Sequence, residues 1–112
     1  MTDNVYNFIG LAMKAGKIVS GEESCEKAIK SGKALLVIVS EDASANTEKR
    51  FKNACLHNRI SFYTFGEKER LGKCIGKSMR SVIAVTDENF SGRLIKLIQE
   101  TKQNKHGGGL IE

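Results

Sequence analysis

The chain has 112 residues, 40% of them apolar and 28% charged, which supplies one domain-sized core and excludes two. Eighteen Lys and Arg against thirteen Asp and Glu leave a net charge of +5, a moderate basic surplus that suits a polyanionic partner without requiring one. No apolar run approaches the roughly 20 residues that cross a bilayer, and the three cysteines contain no CxxC pair of the kind that holds zinc.

In chain order, Val5, Phe8, Ile9 and Ala12 recur at helical spacing, and Gly16 stops that helix. Ile18 and Val19 read as a very short strand. Cys25, Ala28 and Ile29 form the apolar stripe of a second helix closed by Gly32. The run Ala34 to Val39 is continuously apolar and rich in β-branched residues, the pattern of a central strand buried on both faces. After the polar stretch Ser40 to Asn46, a third helix is marked by Phe51, Ala54 and Cys55. Ile60 to Phe65 reads as a strand. Leu71, Cys74 and Ile75 suit a short helix interrupted by Gly72, Val82 to Val85 is another strand, and Phe90, Leu94, Leu97 and Ile98 give a last helix begun near Asp87. Alternating helices and strands predict an α/β fold: a three-layer α/β/α sandwich around a mixed sheet of about four strands. The expected organisation is a single domain over residues 1–102. A glycine-rich tail over 103–112, holding Gly107-Gly108-Gly109, is expected to be mobile and outside the fold.

Two glycine-bracketed segments carry the functional signal. The first runs from Ser20 to Gly32. Ser20 and Glu23 have the S-x-x-E spacing of a capping box, with Ser20 as N-cap, and Glu22 and Glu23 suit the positive end of a helix dipole. The same helix start offers backbone N–H groups to phosphate. Glu23 could there accept from guanine edges, with Lys27 one turn later and Lys30 on a similar face. The second bracket runs from Leu71 to Arg80. Its Gly72-Lys73-Cys74-Ile75-Gly76-Lys77-Ser78 imitates a phosphate-binding P-loop, but it has three residues where four are needed and leads into a strand. A better reading is an exposed loop, Gly76 to Ser81, entering the strand at Val82. Lys68, Arg70, Lys73, Lys77 and Arg80 crowd within thirteen residues. That density neutralises phosphates, and backbone amides near Gly76 add donors. Met79 beside Arg80 could support an unstacked base. A solvated basic face explains the same lysines without function.

Catalysis has little support. Cys55 and His57 are two apart on one helix and do not share a face, and no Ser/His/Asp set or paired carboxylates stand out. Asp3 and the lack of a basic N-terminal segment give no export signal. With unpaired cysteines, a reducing cytoplasm is the expected compartment.

Taken together, Gly21 to Gly32, Leu35 to Val39, Ser40 to Thr47 and Leu71 to Lys77 resemble the L-seven-Ae family of kink-turn RNA binders. More closely the chain looks like the family's small bacterial YlxQ-type members, and the likeness spans roughly residues 4–100. The resemblance implies an α/β/α sandwich and RNA binding without catalysis or cofactor. It also implies a helix opening G-x-N-E-x-x-K that grips sheared G·A pairs, and a loop that covers a flipped-out nucleotide. Gly21 and Lys27 match this opening, while Glu23 stands for its asparagine and Ser24 for its glutamate. Lys68 falls at a basic position near the flipped nucleotide. Lys77, Ser78, Met79, Arg80, Ser81 and Val82 fall in the covering loop. Asparagine both donates and accepts, whereas a glutamate carboxylate only accepts, and serine lacks glutamate's reach. The expectation is therefore a monomeric, cytoplasmic RNA-binding protein, ribosome-associated or acting on a kink-turn-like RNA. Its target would differ in shape from the family's standard, or be bound less tightly. The rival expectation is a protein-interaction module on the same fold without direct RNA contact; protein partners in a ribonucleoprotein are expected on either reading.

Overall fold

The computed structural model describes residues 2–106. The elements run α1 (Thr2–Lys14), β1 (Ile18–Ser20), α2 (Glu22–Lys30), β2 (Leu36–Val39), α3 (Ala45–Asn58), β3 (Ser61–Thr64), α4 (Lys68–Cys74), β4 (Val82–Val85) and α5 (Glu88–His106). The sheet order is β1-β4-β2-β3. β2 and β3 are parallel, as a crossover through α3 demands, and β4 is antiparallel to both its neighbours.

Strand alternation divides the interior in two. Leu36, Ile38, Ile83 and Val85 point to one face, where they pack with Val5 and Ile9 of α1, Leu71 of α4, and Leu94 and Ile98 of α5. Val37, Val39, Val82 and Ala84 point to the other, against Cys25 and Ile29 of α2 and Phe51 and Cys55 of α3. Helices thus cover both faces, and all eight residues of β2 and β4 are buried. This is the three-layer α/β/α sandwich expected from the alternation. Burial raises the Cys25 thiol to about 12 and the Cys55 thiol to about 11, so both act as small apolar groups.

Local details differ from the pattern reading. The central strand begins at Leu36, because Ala34 and Leu35 form the approach to it and Leu35 is partly exposed. Gly72 does not interrupt α4; it lies buried within the helix. A Cβ there would stand 1.8 Å from the Ser78 carbonyl oxygen, so the glycine lets the following loop fold back against the helix. The last helix does begin after Asp87, whose Oδ2 accepts from the Phe90 N–H at 2.9 Å. It continues to His106, four residues past the expected boundary at 102. The glycines of the expected tail, 107–109, lie outside the described residues.

Candidate nucleic-acid interface

The start of α2 is held by its main chain. The N-cap is Gly21, at φ +92°, and no side chain caps the helix. The capping box expected from Ser20 and Glu23 does not form, because Ser20 is still paired in β1 and its hydroxyl turns to Arg80. Gly21 donates to the Val82 carbonyl at 3.0 Å, which fixes the helix entrance to β4. Among the described residues the N–H groups of Glu22, Glu23 and Ser24 find no acceptor, so the helix presents unsatisfied donors outward.

The segment before β4 lies directly across from this entrance. Arg80 is the link: its Nε donates to Ser20 Oγ at 3.1 Å, and its Nη1 lies within 3.4 Å of the Ser78 and Met79 carbonyl oxygens and of Ser78 Oγ. Its backbone N–H donates to the Lys68 carbonyl at 2.9 Å. The guanidinium therefore stiffens the loop on which it sits and ties that loop to the last residue of β1. Between the two walls lies an open cleft of about 410 Å³. Gly21, Glu22, Glu23 and Ser24 form one side and Met79, Arg80 and Ser81 the other, with Ser20 between them. Met79 is 60% exposed, an apolar side chain left in solvent at the cleft's edge. Lys68, at the first turn of α4, is brought beside the loop through Arg80 and is anchored by its N–H to Asp42 Oδ1 at 2.9 Å. That bond holds the Asp42 carboxyl below the usual carboxylate range.

Not every residue singled out in the sequence reaches this cleft. Val82 is fully buried, so it contributes only its carbonyl, through Gly21. Gly76 faces a different depression, against α1. Nor do the amides there remain free for phosphate: Gly76 N–H donates to Lys73 and Lys77 N–H to Gly72, closing the end of α4. Lys77 is exposed on that turn and does not line the cleft. Lys27 lies one turn into α2, its ammonium 4.0 Å from Glu23. Lys30 sits at the far end of the helix, eight residues from Glu22 and about 12 Å along its axis.

The acidic residues of the helix start are not left bare. Glu22 meets Arg50 of α3 at 3.0 Å and accepts from the Thr47 hydroxyl at 3.2 Å. Thr47 in turn lies at the α3 N-cap formed by Ser44. Arg50 and Thr47 escape a reading of the sequence because they stand 28 and 25 residues from Glu22 with no shared motif. Among the described residues no three His, Cys, Asp or Glu groups gather to hold a metal, and no helix is long and apolar enough to cross a membrane.

An open β1-β4-β2-β3 sheet between two helical layers, with a helix entrance and a basic loop together at one end of the strands, defines an α/β/α class of small domain. A sequence profile of the ribosomal protein L7Ae/L30e/S12e/Gadd45 family matches residues 3–95, and the chain belongs to that family. The RNA-binding protein YlxQ of Bacillus subtilis is 40% identical over 93 residues, covering 83% of this chain and 93% of its own length. YlxQ of Enterococcus faecium is 36% identical over 93 residues, 83% of this chain and 89% of its own. The large ribosomal subunit protein eL30B of Schizosaccharomyces pombe is 32% identical over 91 residues, 80% of this chain and 78% of its own. Among solved structures, a Bacillus halodurans protein of unknown function superposes with TM-score 0.82 at 38% identity, covering 85% of this chain and 96% of that one. The Giardia lamblia 15.5kD RNA binding protein shares the fold, with TM-score 0.70 at 23% identity over 86% of this chain and 82% of its own.

Proposed function

We propose that this chain is a non-enzymatic RNA-binding domain that receives structured RNA in the cleft between the α2 entrance and residues 79–81. The observation that carries the reading is the Arg80–Ser20 hydrogen bond, which draws two segments 60 residues apart together as the facing walls of one cleft, with uncapped helix N–H groups on one of them. Uncapped amides suit phosphate oxygens. Met79 offers an apolar surface for an unstacked base, and Lys68 adds charge beside the loop. RNA binding by YlxQ, as its name states, and the ribosomal setting of eL30 support the same reading. In finer terms, the target is a kink-turn-like or ribosome-associated RNA bound by a monomer in the cytoplasm. Lys27 and Lys30 then serve as outlying phosphate contacts rather than as the cleft itself.

Glu23 gives the reading its sharpest test. It is 87% exposed at the cleft and presents only acceptors where the family's opening has asparagine. Fluorescence anisotropy should compare a kink-turn RNA with an unkinked duplex of equal length, for the wild type, Arg80→Ala and Glu23→Asn. Arg80→Ala should weaken RNA binding about tenfold, and Glu23→Asn should tighten the kink-turn complex selectively. Wild-type affinity in Arg80→Ala would remove the cleft from the RNA interface. Weaker kink-turn binding by Glu23→Asn would assign Glu23 an acceptor role of its own.

A further inference from the structure

The loop after α4 separates two hollows, and only one belongs to the cleft. On its other side a groove of about 420 Å³ runs between α1 and the end of α4. Leu11, Met13, Cys74 and Ile75 give its wall an aliphatic and sulfur-bearing part, with Asn7 and Lys14 as its polar side chains. Leu11 is 55% exposed and also lines a second, adjoining hollow with Phe8 and Phe90. The two therefore form one apolar track across α1. From Tyr6 to Lys14 the track follows about 12 Å of helix, enough for about two turns of a docked helix.

Charge selects among occupants. Lys14 lines the groove, and exposed Lys73 and Lys77 flank Cys74 and Gly76 along the chain. Among the described residues none of the three forms an ion pair, and no carboxylate lines either hollow. Asp3 is engaged by Arg70 at 2.8 Å, and Glu88 flanks only the distant end, next to Asn89. Two copies meeting here would oppose lysine to lysine. A nucleotide would find no open aromatic face in the α1–α4 groove, because Tyr6 is 6% exposed and carries the Arg70 guanidinium over its ring. Flexible Leu and Met surfaces with a cationic rim suit an acidic amphipathic helix.

We infer that this track is a docking site for a partner protein, entered by an acidic amphipathic helix while the cleft across the loop holds RNA. A photoreactive benzoylphenylalanine placed at position 11 in the full chain should crosslink in cells to a protein. The adducted peptide, sequenced after digestion, should be net acidic, with Leu, Ile or Met at i and i+4. Lys14→Glu and the milder Lys14→Gln should lower that yield, the first about tenfold. Both should leave RNA affinity within about twofold, since Lys14 lies outside the cleft. A crosslink to a second copy, a nuclease-sensitive adduct, a basic peptide, no adduct, or a yield indifferent to both Lys14 variants would overturn the inference. The RNA measurement stands separately, so failure here leaves the cleft reading intact.

Discussion

Gly72 and Arg80 act on the same loop by opposite means, one through the absence of a side chain and the other through a guanidinium. A Cβ at Gly72 would collide with backbone at Ser78, and backbone cannot swing aside as a side-chain tip can. Gly72→Ala should therefore destabilise the fold by about 2 kcal/mol and displace residues 78–80. A urea unfolding curve would check the first effect and RNA affinity the second. An unchanged midpoint would mean that the loop moves away freely. Arg80 gains its role from neighbours that no local pattern reveals. The sequence offers a lysine- and arginine-rich stretch in which Lys77 and Arg80 look equivalent, yet the fold sends one to the α4 turn and the other to Ser20. Ser20 likewise has the right spacing for a capping box, but strand pairing and Arg80 claim it first.

At the scale of elements, the entrance of α2 depends on α3. The Glu22–Arg50 pair is half exposed and worth little to stability; its effect is on the charge beside the cleft. Arg50→Ala should release the Glu22 carboxylate and weaken RNA binding, while Glu22→Gln in that background should recover most of the loss. Affinities of the two variants across a salt series would check this, and no recovery would mean that Arg50 touches RNA itself. The entrance of α4 depends on Asp42 in a pH-dependent way. Its folded pKa lies below the ordinary 3.8, so its contribution is complete above that value and disappears as pH falls through the folded one. Stability should be insensitive to this group from pH 5 to 8, and Asp42→Asn should flatten the fall below about pH 4; unfolding midpoints against pH test it. The elements themselves were legible in the sequence, because β-branched runs and helical stripes report burial directly. Val82–Val85 emerges with the bounds its pattern gives. The Glu22–Arg50 and Lys68–Asp42 contacts were not legible, since charged surface residues carry no periodicity that names their partners.

For the whole molecule, the sheet order brings α2 and the pre-β4 loop together at one end of the strands. β4 lies between β1 and β2, so the segment entering it passes beside the exit of β1 and the start of α2. The cleft is thus a consequence of topology, and the α1 track lies on the opposite side of the same loop. A titration of the isotopically labelled protein with kink-turn RNA, followed residue by residue in amide NMR spectra, tests this placement most directly. The largest changes should fall at Gly21 to Ser24 and Met79 to Ser81, with α1 and the outer face of α5 unaffected. Changes centred on α1 or α5, with the α2 entrance silent, would contradict it.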